Sequence, residues 1–306
     1  MIEAGATRLE RLRLLTISPL AFARVTYLAL GALYLIVVSG ATVRLTGSGL
    51  GCDNWPRCGS TFLPPKDYHA LVEFGNRGVG FAVGLTTLVA AVAALRTPGL
   101  PRWIFWGAIA LPFTVLAQGV LGGITVIYQL HPLIVLAHFL LSLLALALAV
   151  VVTLGAYDFA HPASQHPPLA ANWLALILVP AALALVVTGT LVTAAGPHSG
   201  GEHIKRWGLL PDALHMHVGA TAIFGIAYLG LVAALFWERR RARIELFLAA
   251  GILGVLLAQM TVGDVQWRTQ LPWGLVLVHV ALASALWAGI VALAARLLLR
   301  SQPRLP

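Results

Sequence analysis

The sequence predicts an all-α integral membrane protein with eight transmembrane helices, arranged as two pseudo-symmetric four-helix bundles. Two observations predict this. The 306 residues are 59% hydrophobic and only 10% charged, with a mean hydropathy of +0.88, more apolar surface than a soluble chain of this length can hide. The chain also reads as one unit written twice. A shift of 141 residues carries Ala117-Gln118 onto Ala258-Gln259, Asn76 onto His217 and His138 onto His279.

A helix needs about 20 apolar residues to cross the hydrocarbon, and eight such runs follow one another. The first, 22–43, begins too late and is too firmly followed by others to be a cleaved signal peptide. It ends on Val37-Val38-Ser39-Gly40-Ala41-Thr42 and leads into a Gly-rich outer loop. The second, 70–95, carries Glu73, Asn76 and Arg77; the third, 103–125, carries Gln118; the fourth, 132–155, carries His138. A linker over about 155–170, with Pro162, Pro167 and Pro168, separates the halves. The fifth run, 170–194, repeats the end of the first as Val186-Val187-Thr188-Gly189-Thr190-Leu191. The sixth, 211–236, holds His215 and His217; the seventh, 243–263, holds Gln259; the eighth, 271–298, holds His279. The runs are continuous rather than alternating, which favours helices over a barrel. Four helices per half give both halves the same orientation, so the axis relating them runs along the membrane normal. The expected division is 1–156 and 157–306.

Basic residues set the expected orientation. Arg8, Arg11, Arg13 and Arg24, the cluster Arg239, Arg240, Arg241 and Arg243, and Arg296, Arg300 and Arg304 all fall on one side. The positive-inside rule makes that side, with both termini, cytoplasmic in a plasma membrane. The net charge of +9 fits this topology and contact with anionic lipid headgroups; nothing in it points to nucleic acid.

The two cysteines, Cys52 and Cys58, share the first outer loop. An oxidising compartment suits a disulfide there, read either as a loop staple or as a redox-active pair beside the basic Arg57.

The repeated polar positions share one depth. Asn76, His138, His217 and His279 each sit about 9–12 Å below the outer end of their helix, with Gln118 and Gln259 at a similar level. Two imidazoles on facing helices at equal depth form the axial arrangement of haem iron, and His217 with His279 fits it. His215 competes for the role, but lies on another side of its helix from His217. In the first half Asn76 replaces one imidazole, leaving His138 as the firm ligand and an open coordination position. Glu73 lies one turn from Asn76, with Arg77 at i+4 from Glu73. The pair is either a plain helix ion pair or a proton-handling carboxylate with an arginine for a haem propionate. A di-haem b-type carrier working with quinone is the alternative function. It predicts two permanent haems and is disfavoured by the missing imidazole at Asn76. A midplane transporter fits poorly with the outer position of the polar layer.

These residues resemble the heme A synthase family, which includes the Cox15 type. The resemblance rests on Gly40 through Cys52 (Gly-Ala-Thr-Val-Arg-Leu-Thr-Gly-Ser-Gly-Leu-Gly-Cys), on Asp53-Asn-Trp-Pro-Arg-Cys58 and on Glu73-Phe-Gly-Asn-Arg77. Gln118-Gly-Val-Leu-Gly-Gly-Ile-Thr125, Gly196-Pro-His-Ser-Gly200, His138 and His279 complete it. It implies a haem b bound in the C-terminal half by His217 and His279, and substrate haem O in the N-terminal half with His138 as ligand. It implies Glu73 as the catalytic acid, followed by Arg77, and Cys52 and Cys58 as the outer-loop pair of the bacterial type. The implied reaction oxidises the C8 methyl of haem O to a formyl, giving haem A for cytochrome oxidase. The expected partners are then a haem O synthase, cytochrome oxidase assembly, the lipid bilayer and a second copy of the chain. One departure stands out. The family's helix often reads Glu-x-x-His-Arg where this chain has Asn76, so a five-coordinate substrate haem is expected. His69 and His131 lie at the outer edge, off the motif.

Overall fold

The computed structural model describes residues 16–52, 54–59, 63–162, 169–201 and 203–300. Arg8, Arg11, Arg13, Arg304, Pro167 and Pro168 lie outside the described residues. Eight helices long and apolar enough to span a membrane account for most of the rest. They are α1 (Pro19–Leu45), α2 (Tyr68–Leu95), α3 (Arg102–Ile127), α4 (Pro132–Ala160), α5 (Leu174–Ala195), α6 (Leu210–Trp237), α7 (Arg243–Arg268) and α8 (Trp273–Arg300). A single 3-10 turn, Ala170–Trp173, leads into α5.

Local chemistry sets the ends. Ser18 caps α1 by accepting from the Ala21 N–H, and Pro19 fills the first helical position, where no N–H is needed. Asp67 caps α2 through the N–H groups of His69 and Ala70. The α3–α4 and α7–α8 turns are copies. Gln129 and Leu130, and Gln270 and Leu271, all have left-handed backbone with φ of 50–63°. The Leu130 N–H reaches the Thr125 carbonyl and the Leu271 N–H the Gln266 carbonyl, both at 2.7 Å.

Two expected helix ends are corrected. α4 runs on to Ala160 and α7 to Arg268, past the expected ends at 155 and 263. Both expectations stopped at a glycine that packs rather than terminates. A Cβ on Gly155 would come within 2.2 Å of the Trp103 ring, and one on Gly263 within 3.1 Å of His279 Cε1. A Cβ at Gly155 would force the Trp103 ring aside and one at Gly263 would press on His279; both positions are helical.

In the first bundle α1 packs on α2 and α4, α2 on α3, and α3 on α4, closing a ring. The second bundle repeats α5 with α6, α5 with α8 and α7 with α8, but α6 meets α7 only briefly. It is therefore more open along that seam. α8 is the keystone between the bundles, packing on α1 and α4 as well as α5 and α7. The Trp287 indole N–H donates to the Leu143 carbonyl at 2.9 Å, and the Tyr34 hydroxyl to the Ala281 carbonyl at 3.0 Å. In a bilayer, where apolar burial does not drive helices together, such bonds and close packing hold them. Past the C-terminal ends of α1 and α5 the Gly49 N–H donates to the Gly200 carbonyl and Arg44 to the His198 carbonyl. The first loop is thereby tied to the second.

Candidate functional site: paired imidazoles in one bundle, a clasped loop in the other

In the second bundle, α6 and α8 bring His217 and His279 together edge-on, with ring centroids 6.5 Å apart and planes at 73°. Thr188 on α5 donates its hydroxyl hydrogen to the Ala184 or Leu185 carbonyl. With that hydrogen on a carbonyl, Thr188 Oγ, 3.2 Å from His217 Nδ1, can accept from an Nδ1–H, an arrangement that would leave the Nε2 lone pair free for a metal. His279 Nδ1 is buried with no hydrogen-bond partner among the described residues. His215 is exposed, so of the two competing α6 histidines only His217 joins the pair.

Each ring rests on a glycine. An ideal Cβ on Gly189 would come within 3.1 Å of His217 Cε1, and one on Gly263 within 3.1 Å of His279 Cε1. The first bundle repeats the device. Gly122 would meet His138 Cε1 at 3.4 Å, and Gly40 lies 4.0 Å from Asn76 Oδ1. Ser39 donates to Asn76 Oδ1 at 2.7 Å, as Thr188 serves His217. Four repeated side chains thus have four repeated glycine seats and two repeated hydroxyl partners. The glycines at 122 and 263 share the 141-residue shift, so the sequence carried this signal, although it does not say that a glycine is a seat.

Gln118 donates to the His138 carbonyl at 3.2 Å and to Ser142 Oγ at 2.9 Å. His138 Nδ1, Gln118 Oε1 and Gln259 Oε1 are buried without partners among the described residues. Unsatisfied buried polar atoms are costly, and their grouping beside the histidines marks interiors shaped for a polar-centred ligand. His69 is bonded to Ser48 at 2.9 Å, and His131 is exposed at the start of α4.

Glu73 and Arg77 form a clasp. The Glu73 carboxylate, 5% exposed, accepts from Arg77 Nη2 at 2.6 Å and from the Cys52 N–H at 2.9 Å. Arg77 also donates to the carbonyls of Asn54, Pro56 and Arg57 at 3.0–3.2 Å. These charge-assisted bonds, each worth about 1.5–3 kcal/mol, bind the loop to α2. Cys52 and Cys58 are joined in a disulfide with Cα atoms 4.6 Å apart, and both residues are buried at 1% and 3% exposure. That burial screens the bond from thiolates in solution. Gly51 lets the loop touch α2: a Cβ there would come within 2.3 Å of the His69 backbone. The loop's Trp55 lays its indole on Gly123, where a Cβ would meet ring carbons at 2.7–3.0 Å. Neither the Arg77 grip nor the seat of Trp55 was foreseen from sequence.

The family model for COX15-CtaA, described as cytochrome oxidase assembly protein, matches residues 23–291. The chain belongs to the COX15-CtaA family. The Heme A synthase of Symbiobacterium thermophilum is 32% identical over 268 residues, covering 83% of this chain and 88% of that one. The Heme A synthase of Geobacillus kaustophilus is 35% identical over 105 residues, 34% of this chain and 33% of its own. That of Shouchella clausii is 33% identical over 144 residues, 46% and 47% respectively. The matched COX15-CtaA region takes in the clasp, the His217–His279 pair, His138 and Asn76, and six of the eight helices in full.

Proposed function

We propose that the chain is a heme A synthase, a membrane oxidoreductase that converts the C8 methyl of haem O to a formyl and so supplies haem A for cytochrome oxidase assembly. The observation that carries this reading is the inequality of two otherwise matched sites. One bundle pairs His217 with His279; the other pairs His138 with Asn76 and alone has the Glu73–Arg77 clasp.

A resident haem b fits the second bundle. An imidazole nitrogen lies about 1.1 Å from its ring centroid and a metal–imidazole bond is about 2.0–2.1 Å, so two imidazoles that held one ion between them would stand ~6.2–6.4 Å apart. The centroid separation of 6.5 Å and the Thr188 hydroxyl 3.2 Å from His217 Nδ1 agree with this. The sparse α6–α7 seam leaves room for a macrocycle. Once bound, the haem supplies one-electron chemistry. The protein's part is to hold His217 in its Nδ1–H tautomer through Thr188 and to keep both rings seated on Gly189 and Gly263.

The first bundle receives haem O. His138, seated on Gly122, offers the single imidazole; Asn76 is tied to Ser39 and leaves the opposite position open. Two successive hydroxylations of one methyl, followed by loss of water, give the aldehyde; the net change, R–CH3 + H2O to R–CHO, releases four electrons and four protons, and the electrons pass to an oxidant from outside the chain. Glu73 is the proton-handling group. Its Oε1 and Oε2 are held by Arg77 and the Cys52 N–H, so the carboxylate that handles protons also anchors the outer loop.

In this reading residues 1–156 hold the substrate site and 157–306 the resident haem, with both termini in the cytoplasm. Haem O synthase, the assembling oxidase and a second copy of the chain are the expected partners. The deciding experiment is expression with a haem O supply followed by pigment extraction. Haem A in the extract supports the synthase. Two unmodified b-type haems and no haem A would establish the electron carrier instead.

A further inference from the structure

Gly122 and Gly123 of α3 are consecutive, and each is covered by a ring from another part of the chain. Gly122 faces the imidazole of His138; Gly123 lies under the indole of Trp55. An outer-loop tryptophan therefore reaches the same turn of α3 that seats the substrate-side histidine. We propose that Trp55 is a wall of the haem O site, covering its outer side and touching the macrocycle while the methyl is oxidised. This inference rests on the heme A synthase reading.

The indole is held firmly. Arg77 takes the carbonyls of Asn54 on one side of Trp55, and of Pro56 and Arg57 on the other. Glu73 holds the Cys52 N–H at the loop's start, and the disulfide closes the loop to Cys58. Such convergence fixes one side chain in one place, which is what an aromatic contact to a flat ligand requires. Trp55 is still 42% exposed, so it has surface left for a ligand.

Among the described residues the second bundle is built differently at this position. The position that repeats Gly123 is Asp264, which pairs with Arg268 at 2.7 Å on an exposed face. The second outer loop contains no cysteine. A resident group needs no removable cover, whereas a substrate that enters and a product that leaves do. Among the described residues this cover stands over the bundle with one imidazole.

The test uses the full-length protein carrying its resident haem, with the variants Trp55→Ala, Trp55→Phe and Gly123→Ala. Gly123→Ala displaces the indole without altering it. Haem O is titrated by difference absorbance, and KM and kcat for haem A formation are measured separately. Trp55→Ala and Gly123→Ala should each weaken haem O binding and raise KM about tenfold, with resident haem content unchanged. Trp55→Phe should stay within about threefold of wild type. Unchanged affinity and KM in both disruptive variants would overturn the proposal. So would a parallel loss of resident haem, which reports a folding defect rather than a wall. If wild type binds haem O but forms no haem A, the synthase reading fails, while the titration still judges Trp55.

Discussion

Arg77 Nη2 lies 2.6 Å from Glu73 Oε1, and the same guanidinium grips three carbonyls of the disulfide loop. The ion pair on α2 is thus a structural tie to the outer loop as well as an i,i+4 pair. A lysine keeps the charge but cannot fan out to several acceptors in fixed directions. Arg77→Lys should cut haem A formation by roughly tenfold or more, the loss of one to two charge-assisted bonds. Glu73→Ala should abolish it. Both should leave the resident haem spectrum intact. Retained haem A in Glu73→Ala would remove that carboxylate from the mechanism.

His217 and His279 stand 6.5 Å apart on facing glycine seats. His279→Ala should eliminate the b-type absorbance of the purified protein; an unchanged spectrum rejects the ligand assignment. Gly263→Ala is the subtler probe. Its Cβ would sit 3.1 Å from His279 Cε1, so the ring must shift by a few tenths of an ångström. Overpacking of this kind costs about 1–3 kcal/mol, and it should appear as resident haem lost during purification from a protein that still folds.

The helices, their order and the depth of the polar layer were legible in the sequence because composition and repeat write them directly. Apolar runs of spanning length leave little choice of structure in a bilayer, and the 141-residue shift located His138, His217 and His279 together. Glycine was where legibility failed. Gly155 and Gly263 look like stops, yet a glycine in a helix also allows close approach, and only the neighbours, Trp103 and His279, tell which use applies. The clasp was half legible. The spacing of Glu73 and Arg77 announced a pair, but the Asn54, Pro56 and Arg57 carbonyls are backbone groups of an irregular loop, and no residue type encodes where they point.

Asn76 offers a test of the open position. Ser39 is its hydroxyl partner as Thr188 is that of His217, and Gly40 leaves 4.0 Å of clearance. An imidazole there would have both a seat and a tautomer-fixing neighbour. Asn76→His should therefore shift added haem O from a five-coordinate, high-spin spectrum to a six-coordinate, low-spin one. A spectrum identical to wild type would mean that Asn76 does not face the iron.

One buried charge pair had no warning in the sequence. Glu245 near the start of α7 is 3% exposed, with Oε1 3.7 Å from Arg296 Nη2 on α8. It lies 14 residues before Gln259, about 21 Å along the helix, too far to touch either histidine site. Removing one partner strands the other charge at a cost of about 3 kcal/mol, whereas replacing both with apolar residues is often neutral or better. Glu245→Ala should lower the melting temperature in detergent, and Glu245→Met with Arg296→Leu should recover it. Haem A formation by the molecules that remain folded should be unchanged in both. If the double variant melts as low as the single one, the pair is holding α7 against α8 through its charges rather than through the space it fills.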